Sequence, residues 1–143
     1  MSYPDVFLRG ISDPGHIDED GNVSSAVFSF GKKDNVHGRE DNFDEESIFW
    51  KDDEGAVAKI LNQTKADGKI QFRAGAAEVD RTKVDHVRKL FNYIGVLEYE
   101  RKTEENNPYH GNLLLKKNIK KIMKNNISGL LANCVVGTVK NEK

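Results

Sequence analysis

The chain has 143 residues, 37% of them apolar and 31% charged, with a formal charge of −1. That length suits one domain with one ordinary core. Seven Phe, four Tyr and one Trp supply the bulk a core needs, which excludes wholesale disorder, and the near-zero charge gives no general pull toward nucleic acid.

A single cysteine, Cys134, excludes an intramolecular disulfide and any cysteine-rich zinc site. It reads as a small buried residue of a C-terminal helix rather than as a reactive thiol. The N-terminal MSYPDVFLRG lacks the basic and apolar regions of a signal peptide. No apolar run approaches the roughly 20 residues that span a bilayer. The expectation is a soluble cytoplasmic protein with no membrane attachment.

In chain order, Val6–Ile11 reads as a strand, followed by a turn-rich SDPGHIDEDGN in which Asp20-Gly21 suits a tight turn. The partial alternation of Val23–Phe30 predicts a second strand, and the polar run 31–46 a long surface loop. SIFW, from Ser47, predicts a brief strand. Asp52 or Asp53 caps the helix after it, with Glu54 at its positive end. Ala56, Val57, Ile60, Leu61 and Thr64 share one face of that helix, about 15 residues long and closed by Asp67-Gly68. From Lys69 the period falls to two, placing Ile70, Phe72, Ala74 and Ala76 on one side of a strand. A competing reading makes residues 73–91 one continuous helix; Gly75 opposes it, and Asp80 looks like a fresh helix start.

In that second helix Val84, Val87, Leu90 and Phe91 form the buried stripe, leaving Arg81, Asp85, Arg88 and Lys89 to solvent. A strand over Val96–Arg101, a turn-rich connection over 102–112, a short LLL strand and a helix from Asn118 to Val135 follow. Residues 136–143 read as a flexible tail. The whole predicts a single compact α/β or α+β domain spanning residues 1–143. Its mixed sheet has about five or six short strands, with about three helices, and Trp50, Ile60, Leu61 and Phe72 anchor the core.

The acidic turn at Asp18, Asp20 and Asn22 invites a calcium reading, but Val23 and Ser29 stand where such a loop needs glycine and a bidentate acid. His16, His37, His86 and His110 lack metal-ligand spacing, so no metal is expected. There is no GxSxG turn and no glycine-rich phosphate loop, so no cofactor is expected either. The candidates for binding are loop residues, His16, His37, Tyr109 and His110, because function concentrates on loops held by a rigid scaffold.

Charge is segregated. From Asp13 to Glu54 thirteen acids oppose four bases, a net of −9, whereas Leu113–Lys143 carries seven lysines against Glu142, a net of +6. Lys116, Lys117, Lys120, Lys121 and Lys124 recur at helical spacing and predict a basic face. The favoured reading of that face is simple solvation. As a binding patch it would take phosphates, nucleic acid or an acidic protein, although it lacks the arginines and stacking aromatics of nucleic-acid surfaces.

FLRGI, GNVSSAVFSF and SIFW ahead of a helix, with NPYHG late in the chain, together resemble a group of small bacterial proteins. That resemblance spans most of the chain and implies neither an activity nor a site. A second resemblance is to ADP-ribosyltransferase-like folds. It implies an enzyme processing NAD or another nucleotide, in which Arg9 holds the dinucleotide, Ser24 or Ser25 lies on a following strand, and Glu54 directs transfer. The ExE or QxE pair of such families is missing here, and His110 is the remaining candidate for catalysis. The motifs lean away from an enzyme. The leading reading is a binding or regulatory module that acts on a protein partner through charged faces and loops. A self-assembling protein pairing acidic and lysine-rich surfaces is the other alternative.

Overall fold

The structure is a computed structural model describing residues 3–30 and 43–141. Its strands are β1 (Val6–Ile11), β2 (Phe43–Trp50), β3 (Gly75–Asp80), β4 (Leu97–Arg101), β5 (His110–Lys116) and β6 (Val135–Lys140). The helices are α1 (Gly55–Leu61), α2 (Arg81–Leu90) and α3 (Lys121–Asn133). The strands form one sheet in the order β4-β5-β2-β1-β3-β6. Every pairing is antiparallel, so the expected mixed sheet is an antiparallel one and the fold is α+β.

Alternation along the strands splits the core between the two faces of the sheet. Phe7, Ile48, Trp50, Val79, Leu97, Leu113 and Leu115 point to one face, where they meet Phe28, Phe30, Val84, Ile127 and Leu131. Leu8, Phe49 and Ala76 point to the other, against Ala56 and Ile60 of α1 and Phe72. The anchors Trp50, Ile60 and Phe72 are buried as the sequence predicts, whereas Leu61 is only half-buried. The alanine pair suits a central strand closely packed on both sides. Ala77 lies opposite Arg9 and Ala76 opposite Gly10, where an added Cβ would strike the Phe72 ring.

Several elements differ from their sequence reading. Val23 makes only an isolated bridge to Ile17, and Ser25–Phe28 forms a 3-10 turn rather than a strand. Ser24 is the cause: its hydroxyl accepts from the Ala26 N–H, and such local bonds compete with a ladder. Of the expected 31–46 loop, residues 43–46 belong to β2, and the rest, with His37, lies outside the described residues.

The first helix spans 7 residues, not about 15. Asn62 ends it by donating its side-chain amide to the Ala58 carbonyl at 2.8 Å. Asp67-Gly68 then turns a small hairpin, bridged Thr64 to Ile70 with Gly68 at φ +82°, instead of closing a helix. The strand expected from Lys69 starts only at Gly75, whose φ of +121° and approach to the Val139 carbonyl permit no side chain.

Asp80 does open α2, accepting from the Thr82 N–H at 2.9 Å, and the continuous-helix alternative falls. The helix is rotated from its expected orientation, however. Val84 is buried, but Leu90 and Phe91 are exposed, while Arg81, Asp85 and Arg88 turn inward. Arg88 lies over the Tyr99 ring at 4.9 Å, donates to the Leu97 carbonyl at 2.7 Å and pairs with Glu98 at 2.7 Å. The Arg88 stem covers apolar surface while its head bonds to β4, a burial that polarity alone does not reveal.

The C-terminal third departs most. Val135, expected to end the helix, and residues 136–140, expected in the tail, form the edge strand β6, paired with β3. Ile122 and Met123 are exposed. The five-lysine helix face does not form: Lys116 ends β5, Asn118 turns the chain at φ +66°, and Lys120 precedes the helix. Only Lys121 and Lys124 lie on α3, and Lys124 donates to the Phe30 carbonyl at 3.2 Å. No helix among the described residues is long and apolar enough to cross a membrane.

Candidate functional site

Two surfaces stand out. The first lies between α2 and α3 on the outer side of the main core. Thr82 and Lys83 of α2 face Asn133 and Cys134, while Asn126 donates to the Tyr93 hydroxyl beyond the other end of α2 at 2.7 Å. The two helices therefore run antiparallel. Between them is a groove of about 380 Å³ whose lining includes His86, Val87 and Leu130. Lys83, Val87 and Leu90 follow one another at helical spacing, so the α2 side of the groove leads into the exposed Leu90.

At the end of α2, Leu90 is 65% accessible and Phe91 47%, and at the start of α3 Ile122 is 78% accessible. Ile94, 57% accessible, lines a separate cleft on the Arg81, Asp85 and Lys89 side of α2. Phe91 stacks on Tyr93 at 6.0 Å, which holds this apolar surface in place. Single exposed apolar residues are ordinary, whereas a run of them next to a groove is not. Charge around it is mixed, since Asp80 as well as Lys83 lies within electrostatic reach of Cys134. Asp85 is the only acid in α2 and α3, and it is engaged by Arg81, Arg88 and Tyr99, leaving Lys83, Lys89 and Lys121 as exposed cations. Cys134, in the groove wall, is buried, and that burial pushes its thiol up to about 11, so it is not a reactive nucleophile.

The second surface is a cleft of about 320 Å³ where β1 and β2 part, lined by Arg9, His16, Val27, Ser47, Gln71 and Phe72 among others. β1 pairs with β2 only at Phe7–Trp50 and Leu8–Phe49, and the Arg9 guanidinium occupies the opening beyond. It donates to the Val27 and Ser47 carbonyls, both at 3.0 Å, and pairs with the fully buried Glu46, which also accepts from the Phe30 N–H. Behind Ser47, its hydroxyl lies 3.0 Å from His110 Nε2.

The residues singled out from sequence are therefore dispersed. Arg9 and His16 share the cleft, and His110 reaches it through Ser47. Ser24 is a turn cap, Ser25 is exposed, and the Glu54 side chain is 87% accessible beside Lys51, so these do not line the cleft with Arg9. Tyr109 donates to Asp53 at 2.9 Å, a bond to a carboxylate that holds its hydroxyl above the usual tyrosine range. Lys116, Lys117, Lys120, Lys121 and Lys124 form no common patch. Asp18 is occupied by its own loop, with the Asn22 and Asp20 N–H groups holding its carboxyl below the ordinary value. No group of three or more metal-ligating side chains occurs among the described residues.

Sequence reasoning missed Ser47, which reads only as the start of an apolar strand, and the α2–α3 groove. No protein-family model matches the chain, and comparisons with curated proteins and with solved structures find no significant match.

Proposed function

We propose that the protein is a binding module whose α2–α3 groove receives an acidic, amphipathic segment of a protein partner. The apolar groove wall at Val87 and Leu130, with exposed Leu90 one turn further along α2, carries this reading. Fully burying a side chain of that size contributes about 1.5–3 kcal/mol, so a partner covering several of them has enough driving force to offset the cost of association. Lys83, on the groove wall, favours an acidic partner and steers its approach. Apolar residues three or four apart, flanked by Asp or Glu, are the chemistry such a groove accepts.

Selection of displayed peptides against the purified protein tests this reading. Enriched peptides are expected to share an acidic amphipathic pattern and to lose at least about tenfold in affinity, ~1.4 kcal/mol, against Leu90→Lys or Leu130→Lys. Peptides that bind both variants as well as wild type would place recognition elsewhere. Sedimentation at low salt separates a second reading: concentration-dependent self-association abolished by Leu90→Lys would make another copy, through its acidic 13–54 region, the occupant.

A further inference from the structure

The Ser47–His110 contact has the geometry of an activated nucleophile, and it lies apart from the α2–α3 groove. His110 Nδ1 sits 2.8 Å from the Lys102 carbonyl, which can only accept, so Nδ1 carries the proton in the neutral ring. Nε2 is then the free lone pair, and it is the atom 3.0 Å from Ser47 Oγ. The Ser47 hydroxyl therefore donates to His110, the direction that general-base activation requires. Glu104 Oε1 lies 3.5 Å from Nδ1, placed to balance a positive charge on the ring. The third group that orients the base is thus a backbone carbonyl backed by a carboxylate.

Both partners sit on paired strands. Ser47 is opposite Asn112 and Phe49 opposite His110 in the β2–β5 ladder, and Arg9 holds the Ser47 carbonyl from the other side. Asn112, in turn, donates to Glu100 at 2.8 Å, which fixes the strand between them. Ser47 also borders the cleft beside Arg9, where Gln71 and the Phe72 ring form part of the wall. A small ester fits this description: an apolar surface for its acyl group and a nucleophile at the wall.

We propose that Ser47 and His110 form a nucleophile–base pair that hydrolyses small carboxylic esters or thioesters. As Ser47 Oγ bonds to the acyl carbon, its proton passes to His110 Nε2. The bond to the leaving group then breaks, and that group departs with the proton from Nε2. Water attacks the acyl-serine, gives one proton to Nε2 and leaves its oxygen in the acid. Ser47 Oγ recovers the proton as its bond to carbon breaks. Ester and water become acid and alcohol, with no other reactant.

Incubation of the intact protein with a fluorophosphonate probe, followed by mass spectrometry of the digested chain, tests the pair directly. The expected adduct is on Ser47, with labelling slowed by about 10²–10⁴-fold in His110→Gln, the range a general base supplies. Hydrolysis of p-nitrophenyl acetate should fall with it, while circular dichroism and the thermal midpoint confirm that the variant folds. An unlabelled wild type, an adduct on another residue, or equal labelling of folded His110→Gln would each overturn the proposal. Because the wild-type adduct is mapped without mutating Ser47, the test does not depend on whether Ser47→Ala is stable. A negative result here leaves the groove reading untouched.

Discussion

Arg9 and Glu46 pair inside the main core, on adjacent strands that have stopped bonding to each other. The Glu46 side chain is fully buried and that of Arg9 is 18% accessible. Where β1 and β2 part, the guanidinium supplies the donors that the missing ladder would have provided. Removing one member of a buried pair strands the other charge, which costs about 3–5 kcal/mol. Glu46→Leu and Arg9→Met should each lower urea-unfolding stability by roughly that amount. The double variant should recover more than half of the combined loss, since apolar replacement of both partners is often near neutral. Strictly additive losses would show that the two side chains act independently.

A second network joins α2 to β4. Tyr99 donates to Asp85 at 2.6 Å, and its hydroxyl titrates well above the ordinary value of 10.0, first because it is buried and then because it bonds to a carboxylate. The folded state therefore holds this proton more tightly than the unfolded one. That stabilisation is complete below the unfolded value near pH 10 and declines as pH rises beyond it. Tyr99→Phe should lose about 0.5–1.5 kcal/mol at neutral pH. Its thermal midpoint should also fall less steeply than wild type on the alkaline side. Parallel alkaline limbs would contradict the assignment.

Burial of Cys134 makes a kinetic prediction. With the thiol pushed up to about 11, the thiolate fraction at neutral pH is some 10²–10³-fold below that of a free cysteine near 8.5. Iodoacetamide should alkylate the native protein at least two orders of magnitude more slowly than the urea-unfolded chain. Comparable rates would mean that the end of α3 opens readily, in conflict with the 2% accessibility of Cys134.

The short apolar runs VFLRGI and LLL, the alternation of VLEYER and the cap at Asp80 were legible because these are local chemistry. What stayed hidden depended on partners distant in sequence. Residues 136–140 look like part of a frayed tail until β3 offers them an edge to pair with. Arg81 and Arg88 look solvent-facing until β4 and the N-terminal segment supply carbonyls and acids for them. Once those arginines take the inner side of α2, Leu90 and Phe91 are left outside, so the unexpected polar burial and the unexpected groove share one cause. The Ser47–His110 contact needed strand register, since 63 positions separate the two residues. His110 was visible in its turn-rich loop, whereas Ser47 carried no signal of its own.

The most direct measurement for the docking claim is photo-crosslinking of the full chain in its own cells, with benzoylphenylalanine at position 90 or 130 and a control at exposed Ala58 on α1. The groove positions should each give a protein adduct whose crosslinked peptide is acidic and amphipathic. The yield should fall with added salt in extracts, and Ala58 should give no such adduct. Equal adducts from all three positions, or none from 90 and 130, would contradict the claim that this groove is where the protein meets its partner.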